Sequence, residues 1–460
     1  MREFLSIERI EPSKRLVVER VKDFGEIYEV FGKNDAVSQS DRCIQCGDPF
    51  CLNKCPLHNY IPQWLKAVSE KDLEFAFKLS NEPSPFPEVM GRVCPHDRLC
   101  EGDCTLNDGH GAITIGSVET HITEAGFKAG LEPEFPGVTT DKKVAIIGSG
   151  PAGLSAATYL LRSGIAVTMY ERNDRAGGLL TYGIPNFKLD KKIVERRVEL
   201  LKKAGMELVL DCEVGRDIDF EEIADKHDAM FISIGATKAK KASLNGENAS
   251  NVYGAMEYLT AIQRKNFKTT YDKKFDFKDL DVVVIGGGDT AMDCLRTAKR
   301  EGAKSVTCLY RRDEKNMPGS KKEYKNAMEE GVEFNFLTSP KQIILEDEKA
   351  IAVEAVKMTL GAKDESGRQK VEEQKGSEHR VNADIVIMAL GFDTEVPSFL
   401  AENGIEINKW GEIIVDEETH ETSTSGIYAG GDCYRGADLV VTAAYDGREA
   451  ARSIVKSLLK

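Results

Sequence analysis

The sequence predicts an α/β protein in which an N-terminal helical domain precedes two Rossmann-like domains. Residues 1 to about 140 show helical patterns and no strand-like runs. Beyond residue 142, two segments each place a short apolar strand before a glycine-rich turn and a helix. With 460 residues, the chain also exceeds what one hydrophobic core usually serves, so several domains are expected.

Composition and charge exclude several classes of protein. The hydrophobic fraction of 41% supports packed cores, and no apolar run approaches the length of a membrane span. A formal charge of −14 argues against nucleic acid as a partner. The charged opening segment has no apolar core of the length that a secretory signal needs. We therefore expect a cytoplasmic protein.

The N-terminal region is predicted to be helical between its loops. Apolar residues recur at helical spacing over 61–68 and 72–79. The proline-rich segment 82–87 interrupts this pattern, and the polar stretch 133–142 separates the region from the first strand.

Seven of the eleven cysteines lie in this helical region in two closely spaced groups. The first group is Cys43, Cys46, Cys51 and Cys55, and the second is Cys94, Cys100 and Cys104. Short spacings bring several soft thiolate ligands to one centre, and Pro56 turns the backbone away after Cys55. This pattern is typical of iron–sulfur clusters.

Disulfides and zinc are the alternatives for these thiols. Without a secretory signal, a thiol array holds metal more often than it is cross-linked. Structural zinc sites close with four ligands, whereas seven thiols exceed one such site and fall one short of two. Clusters are therefore the favoured interpretation, and zinc remains open.

The first nucleotide-binding fingerprint follows the apolar segment 143–147. Gly148 permits a tight turn, Gly150 lets the backbone approach a pyrophosphate, and Gly153 lets the helix lie close to the strand. A second strand ends at Glu171, where a carboxylate can accept a hydrogen bond from a ribose hydroxyl. The alternative for Glu171 is a solvated charge. The candidate binding residues are Gly148, Gly150, Pro151, Ala152, Gly153, Glu171 and Arg172.

The second fingerprint follows the apolar segment 281–285. Its candidate binding residues are Gly286, Gly287, Gly288, Asp289, Thr290 and Ala291. Arg311 and Arg312 end the next strand, at the position that Glu171 has in the first copy. Guanidinium groups bind a 2′-phosphate that a carboxylate would repel, so this site should prefer NADPH to NADH. The alternative is a pair of surface arginines.

A chain with two such folds generally pairs a bound flavin with a diffusing nicotinamide, so the first site is expected to hold FAD. NADPH delivers a hydride, an iron–sulfur cluster accepts single electrons, and a flavin mediates between them. This chemistry needs no catalytic acid, base or nucleophile from the protein. The histidines, such as His58, His96 and His110, are accordingly interpreted as structural or surface groups.

Five segments together carry a resemblance over nearly the whole chain. They are CPHDRLCEGDC at 94–104, GGLLTYGIP at 177–185, GGGDTAMDC at 286–294, YRRDE at 310–314 and GGDCYRG at 430–436. The chain resembles the small-subunit family of bacterial NADPH-dependent glutamate synthase. It shares this pattern with the amino-terminal half of dihydropyrimidine dehydrogenase and with the flavin subunit of NADH-dependent ferredoxin–NADP oxidoreductase.

The resemblance implies two 4Fe–4S clusters. It assigns Cys43, Cys46, Cys51 and Cys104 to one cluster and Cys55, Cys94 and Cys100 to the other. The family places a Gln or Glu in the eighth ligand position, which implies Glu119 here. The alternative for Glu119 is an ordinary carboxylate in the first turn of a helix.

Further flavin contacts are implied by the same resemblance. They are Gly178 and Leu179, Gly431 and Asp432, and Thr442 at the start of a helix beneath the ring. Gly235 and Gly391 end strand-like segments that look like crossovers between the nucleotide domains. The predicted domains are a cluster domain at 1–140, an FAD domain at 141–260 and 388–460, and an inserted NADPH domain at 261–387.

The resemblance implies an enzyme that passes electrons from NADPH to a large subunit. In the family, that subunit bears FMN and a glutaminase domain and makes glutamate from glutamine and 2-oxoglutarate. One alternative is the flavin subunit of a ferredoxin–NADP(H) oxidoreductase or a related donor, and another is a zinc-stabilised nucleotide-binding adaptor without redox turnover. Flavin disulfide reductases are set aside, because the remaining cysteines are too far apart for a Cys-x-x-Cys pair. Those cysteines are Cys212, Cys294, Cys308 and Cys433.

Overall fold

The structure is a computed structural model that describes residues 3–363 and 369–459. Up to residue 142, these residues form helices and loops without a strand, as predicted. The α-helices are Val17–Arg20, Lys33–Asp41, Phe50–Lys54, Ile61–Ser69, Leu73–Asn81, Pro87–Val93 and Ile115–Lys128. Short 3-10 helices span Glu3–Leu5 and His96–Arg98. Across the described ranges, no helix combines the length and the apolarity needed to cross a membrane.

The helices predicted at 61–68 and 72–79 are confirmed, with ends that differ by one or two residues. Ile61–Ser69 carries Pro62 in its first turn, where the missing backbone N–H has no helical partner to lose. Asp72 caps Leu73–Asn81, because its carboxylate accepts a hydrogen bond from the backbone N–H of Phe75 at 3.0 Å. Their apolar faces meet the long helix Ile115–Lys128 in one core.

The first Rossmann-like domain has a five-stranded parallel sheet. In spatial order its strands are Ile427–Ala429, Ala229–Ile232, Lys143–Ile147, Ala166–Tyr170 and Met206–Val209. The longer helices are Pro151–Arg162, Lys191–Lys203 and Val440–Leu458, and the shorter ones are Leu179–Tyr182, Phe220–Ala224, Ser398–Glu402 and Asp432–Arg435. Because its edge strand comes from near the C-terminus, this domain is discontinuous in sequence.

The second Rossmann-like domain lies between these two parts of the chain. Its parallel sheet has the order Val252–Gly254, Ile385–Met388, Asp281–Ile285, Ser305–Tyr310 and Glu333–Phe336. Its helices are Ala255–Asn266, Asp289–Arg300 and Lys321–Glu329, with 3-10 turns at Lys273–Phe275 and Glu314–Asn316. A two-stranded ladder, Lys238–Ala239 with Phe392–Asp393, links the two crossover segments. The predicted boundaries at 140, 260 and 387 remain predictions.

A four-stranded antiparallel sheet is a feature that the sequence analysis did not predict. Its strands are Thr338–Glu346, Lys349–Lys363, Gln369–Glu373 and His379–Asn382. Asp347 and Glu348 form the tight turn between the first two strands with φ values of 49° and 62°. Glycine or asparagine usually marks such a turn, so this hairpin carries no strong sequence signal.

A buried ion-pair network joins the N-terminal segment to the second Rossmann-like domain. Glu330 accepts hydrogen bonds from Arg20 Nε at 3.0 Å, from Arg296 Nη2 at 2.9 Å and from Arg300 Nη1 at 2.7 Å. Burial alone would raise the pKa of Glu330, but the bonds from Arg300 and Arg296 lower it to about 2. The carboxylate is therefore ionised wherever the protein is folded at ordinary pH.

Helix Asp289–Arg300, which carries Arg296 and Arg300, also contacts the first Rossmann-like domain. Lys188 Nζ donates to Asp293 Oδ1 at 2.9 Å, and the guanidinium groups of Arg296 and Arg300 lie 4.4 and 4.0 Å from the centre of the Phe187 ring. Helix Asp289–Arg300 is thus the point at which all three parts of the chain meet.

We expect Glu330→Gln to destabilise the protein by about 3–5 kcal/mol, because buried Arg300 loses its counter-ion and buried Arg20 and Arg296 each lose one of two carboxylate partners. The matched control is Glu329→Gln, whose side chain is 30% exposed and should cost less than about 1 kcal/mol. Urea unfolding followed by tryptophan fluorescence measures both. In the wild type, the contribution of Glu330 is present above pH 4.5 and is lost as the pH falls toward 2. Equal losses in the two variants would contradict the assignment.

Candidate functional site

A cavity of about 660 Å³ lies beyond the carboxyl ends of the strands in the first sheet, where open α/β sheets bind ligands. It is lined by most of the residues predicted for the first nucleotide: Gly148, Gly150, Pro151, Ala152, Glu171, Arg172, Gly178, Leu179, Gly235, Gly431 and Asp432. Gly153 and Thr442 were also predicted to bind there but do not line the cavity.

The three glycines of the first turn have different physical roles. Gly148 has a φ of +98°, and a side chain there would lie 2.5 Å from the carbonyl oxygen of Ser233. A Cβ on Gly153 would lie 2.1 Å from the carbonyl oxygen of Gly148, so this glycine brings the helix against the turn. Gly150 faces open space and leaves room for a ligand to approach the backbone.

Glu171 is buried and already fully hydrogen-bonded within the protein. Its Oε2 accepts from the backbone N–H and the hydroxyl of Ser149 at 3.1 and 2.5 Å. Its Oε1 accepts from the backbone N–H and the side-chain amide of Asn173 at 2.9 and 2.7 Å. The solvated-charge alternative is therefore wrong. A ribose hydroxyl would have to exchange with one of these donors.

The C-terminal part of the chain closes the cavity. Burial raises the pKa of Asp432 to about 7, and Gly431 takes a left-handed conformation with a φ of 77°. Thr442 instead caps helix Val440–Leu458, because its hydroxyl donates to the carbonyl of Leu439 at 2.7 Å and accepts from its N–H at 3.1 Å. The helix start near 439 is confirmed, whereas the flavin contact of Thr442 stays a prediction.

Several lining residues were missed by the sequence analysis. Thr237 and Glu395 are two of them, and the Glu395 carboxylate accepts from Thr237 at 2.5 Å and from the predicted residue Arg172 at 2.8 Å. Met256 and Thr260 come from helix Ala255–Asn266 of the second domain. Because these residues are distant in sequence from either fingerprint, no local pattern could have identified them.

The second glycine turn repeats the geometry of the first. A Cβ on Gly286 would lie 2.2 Å from the carbonyl oxygen of Ala389, whereas Gly288 faces open space. Asp289 accepts a hydrogen bond from the backbone N–H of Ser320 at 2.9 Å and from Arg98 Nη2 at 3.2 Å. Arg98 lies between Cys94 and Cys100, so the cysteine region touches this turn directly. Thr290 and the buried Ala291 continue the helix.

The two predicted phosphate-binding arginines differ in their surroundings. Both follow strand Ser305–Tyr310, at its carboxyl end. Arg311 is exposed, whereas Arg312 donates from Nε to the carbonyl oxygen of Gln369 at 3.0 Å. Gly391 lies in the crossover segment, where its carbonyl accepts from the backbone N–H of Lys240 at 3.1 Å.

The seven clustered cysteines and Glu119 surround two small cavities in the groups that the resemblance implied. Cys43, Cys46, Cys51 and Cys104 line one cavity, and Cys55, Cys94, Cys100 and Glu119 line the other together with His96. Glu119 is 5% exposed, lies in the second turn of helix Ile115–Lys128 and accepts from Asn59 Nδ2 at 2.7 Å. The alternative that it is an ordinary first-turn carboxylate is therefore wrong.

Burial makes these ligands unfavourable as free anions. It raises the pKa of Cys43 to about 11, of Cys51 to about 12 and of Glu119 to about 8, and it raises the pKa of Cys94 well above its usual value. Metal ions would supply the positive charge that stabilises the thiolates, so the donor sets fit iron–sulfur clusters. Over residues 3–363 and 369–459, no three His, Cys, Asp or Glu side chains are grouped so as to hold one isolated metal ion.

The three cavities form a row. Val440 and Ala443 line the nucleotide cavity, and Val441 between them lines the cavity that contains Cys94. Ile115 lines both cysteine cavities. The order is therefore the nucleotide cavity, then the cavity with three cysteines and Glu119, then the cavity with four cysteines.

Comparisons with known proteins agree with this arrangement. A family model described as dihydropyrimidine dehydrogenase domain II, 4Fe-4S cluster, matches residues 20–131, and one described as pyridine nucleotide-disulphide oxidoreductase matches 142–447. The chain is 47% identical to the glutamate synthase (NADPH) small chain of Halomonas elongata over 99% of this chain and 98% of that protein. The chain belongs to the glutamate synthase (NADPH) small-chain family. The predicted resemblance and fold class are confirmed.

Other relatives extend the comparison. The small chain of Escherichia coli strain K12 is also 47% identical, over 99% of this chain and 98% of its own length. The putative oxidoreductase AegA of the same organism is 45% identical over 97% of this chain and 69% of its own length. The structure of Mycobacterium tuberculosis FprA in complex with NADPH covers 69% of this chain and 85% of its own, with a TM-score of 0.57 and 18% identity, and shows the fold alone.

We expect Gly153→Ala and Gly150→Ala to separate folding from flavin binding. The new methyl group at 153 meets backbone and should cost about 1–3 kcal/mol of stability, whereas the one at 150 meets open space. Gly150→Ala should therefore keep the melting temperature of the flavin-free protein yet bind FAD at least about tenfold more weakly. Flavin absorbance per chain and thermal unfolding measure the two effects. Normal FAD affinity in Gly150→Ala would contradict the assigned backbone approach.

Proposed function

We propose that this chain is the NADPH-oxidising subunit of a glutamate synthase. It binds FAD and two 4Fe–4S clusters and passes electrons to a large subunit, which makes glutamate from glutamine and 2-oxoglutarate. The observation that carries this proposal is the row of three adjacent cavities, which leads from a nucleotide site to a partly exposed cysteine group. Identity of 47% over nearly the full length of small chains from two organisms supports it.

FAD would occupy the cavity of the first Rossmann-like domain. The amino-terminal end of helix Pro151–Arg162 directs backbone N–H groups and the positive end of its dipole toward the diphosphate. Gly150 leaves the backbone accessible, Gly178 packs closely against Gly150, and Asp432 can bond a hydroxyl of the ribityl chain. Bound FAD would accept the hydride and release its electrons singly, and the apolar residues Val440 and Ala443 keep water from that side of the cavity.

NADPH would bind at the second glycine turn. The amino-terminal end of helix Asp289–Arg300 faces its diphosphate, and Arg311 and Arg312 bind the 2′-phosphate. Helix Ala255–Asn266, which crosses the proposed boundary at 260 and packs in the core of the second Rossmann-like domain, lines the flavin cavity through Met256 and Thr260. The second domain therefore lies against the proposed flavin site.

The clusters would occupy the two cysteine cavities. Cys55, Cys94 and Cys100 hold the cluster next to the flavin, with Glu119 as the ligand implied by the family. Cys43, Cys46, Cys51 and Cys104 hold the outer cluster. Phe50 beside the outer cavity is 53% exposed, so this end of the row is the side from which electrons leave for the partner.

We propose the following domain boundaries, cellular location and partner for this protein. We place the cluster domain at 1–140, the FAD domain at 141–260 and 388–460, and the NADPH domain at 261–387. We also place the protein in the cytoplasm, where NADPH is its substrate and a large subunit is its partner, with no nucleic acid or membrane involved.

A second candidate is an electron donor with a different acceptor, such as the flavin subunit of a ferredoxin–NADP(H) oxidoreductase. The similarity to AegA favours it, because this putative oxidoreductase is 45% identical to this chain and the match covers only 69% of its length. Co-purification from the native host distinguishes the two, since a glutaminase-bearing partner would identify glutamate synthase. Zinc without iron in anaerobically purified protein would instead favour the redox-inactive adaptor.

The isolated chain should oxidise NADPH with an artificial acceptor such as ferricyanide and should form no glutamate from glutamine and 2-oxoglutarate. The reason is that this chain carries the electron-input sites, whereas in the family the glutaminase domain belongs to the large subunit. Acceptor reduction and glutamate are measured in the same anaerobic sample, with and without the large subunit. Glutamate formation by the chain alone would refute the proposal.

We expect Arg311→Ala to raise the KM for NADPH by roughly 10- to 100-fold, since a charge-assisted phosphate contact contributes about 1.5–3 kcal/mol. The KM for NADH should change little, because NADH lacks the 2′-phosphate. Arg312→Ala should act in the same direction but also removes the bond to Gln369. Arg380→Ala, on an exposed strand position, is the charge-matched control. An equal effect on both nucleotides would overturn the 2′-phosphate assignment.

A further inference from the structure

The loop at 94–100, which carries two of the clustered cysteines, reaches the second glycine turn through one side chain. Arg98 donates from Nη1 to the carbonyl oxygen of Pro318 at 2.8 Å and from Nη2 to Asp289 Oδ2 at 3.2 Å. Both acceptors belong to the second Rossmann-like domain, and Asp289 is the first residue of helix Asp289–Arg300. A guanidinium group of the cysteine domain therefore lies at the helix end assigned to the diphosphate of NADPH.

The glycine turn next to this guanidinium group is open to a ligand. A Cβ on Gly288 would meet no atom within 4 Å. The segment that contains Pro318 packs against the same turn, because the backbone N–H of Gly319 donates to the carbonyl oxygen of Gly287 at 2.9 Å. The contact with Pro318 thus holds Arg98 near the open backbone of the turn.

Asp289 places a negative charge where two phosphates would bind. Its Oδ1 accepts from the backbone N–H of Ser320 at 2.9 Å, and its Oδ2 is paired with Arg98. The side chain is 37% exposed, so water screens its charge only in part. Without a neighbouring cation, this carboxylate would repel the diphosphate and oppose the attraction of the helix dipole.

The guanidinium group of Arg98 has further donors for a phosphate. An arginine side chain carries five N–H donors, and the contacts with Pro318 and Asp289 use two of them. The side chain is 43% exposed, so its remaining N–H groups are accessible to a ligand. A planar guanidinium group can bind phosphate oxygens in pairs, which suits a diphosphate.

The loop that carries Arg98 is held in place by its own backbone. The carbonyl oxygen of His96 accepts from three backbone N–H groups, those of Leu99 at 3.1 Å, Glu101 at 2.9 Å and Gly102 at 3.1 Å. A cluster bound by Cys94 and Cys100 would fix both ends of this loop. The position of Arg98 is therefore set by the cysteine domain.

We propose that Arg98 binds the diphosphate of the nicotinamide nucleotide, so that the cysteine domain completes the NADPH site. This inference rests on the proposed function, because it requires NADPH at the second glycine turn. The diphosphate is common to NADPH and NADH, whereas the 2′-phosphate assigned to Arg311 and Arg312 is not. Arg98 therefore sets the affinity for both nucleotides and leaves the choice between them to the other two arginines.

The test measures the Kd for NADP⁺ by calorimetry and the KM for NADPH and NADH with ferricyanide, on the anaerobically purified full-length chain. We expect Arg98→Ala to raise all three constants by roughly 5- to 20-fold, as for a partly exposed charge-assisted contact, with kcat retained. Arg98→Lys keeps the charge and should recover part of the loss. The matched control is Lys66→Ala, which removes an exposed cation that pairs with Glu70 on its own helix and should change none of the constants.

Asp289→Asn distinguishes a phosphate contact from an ion pair that only supports the turn. Asparagine keeps an acceptor for the N–H of Ser320 and loses the charge that is paired with Arg98. We expect this variant to bind NADP⁺ at least as tightly as the wild type, because Arg98 is released toward the diphosphate. Equal weakening in Asp289→Asn and Arg98→Ala would show that Arg98 acts only through Asp289 and would overturn the inference.

The remaining outcomes separate this inference from the proposed function. Wild-type affinity for NADP⁺ in Arg98→Ala would overturn the role of Arg98 and leave the proposed function standing. An effect on NADPH without one on NADH would place Arg98 at the 2′-phosphate and would also overturn it. A wild-type chain that binds NADP⁺ in no measurable amount and oxidises neither nucleotide would refute both proposals. Flavin content and thermal unfolding of each variant verify that the compared samples are folded.

Discussion

The arrangement of the domains depends on the ion pairs that three arginines make with the buried carboxylate of Glu330. Arg20 reaches it from the segment that precedes the cysteines, and Arg296 and Arg300 reach it from the helix after the second glycine turn. None of these charges could be buried alone, since each would lose its hydration without compensation. The N-terminal segment and the second Rossmann-like domain must therefore assemble together, and Lys188 joins the first domain to the same helix through Asp293.

A second set of contacts brings the cavities into line. Buried Arg448, on helix Val440–Leu458, donates to the carbonyl oxygens of Leu57 and Pro83 at 2.8 and 3.1 Å. These bonds fix the helix against the cysteine domain, so that Val441 meets one cysteine cavity while its neighbours meet the nucleotide cavity. Electron transfer requires short separations between redox centres, and here one layer of apolar side chains separates adjacent cavities.

The sequence predicted those features that depend on local geometry. The glycine turns at 148–153 and 286–291 were recognisable because a backbone that approaches a phosphate tolerates few other residues. The cysteine spacing was equally informative, since ligands must be close in sequence to converge easily. The antiparallel sheet was missed because its turn at Asp347 and Glu348 lacks glycine. The role of Thr442 as a helix cap depended on one hydroxyl rotamer, which no pattern encodes.

The sequence by itself determined the fold class, the family and the cofactor types, because spacing of glycines and cysteines reflects the bonding geometry of phosphates and iron. Only the tertiary structure decided that Glu171 is hydrogen-bonded within the protein, and that Nε2 of His96 is buried without a hydrogen bond in a cavity lined by three cysteines. Burial and partner choice decide these properties, and they depend on residues brought together from distant parts of the chain.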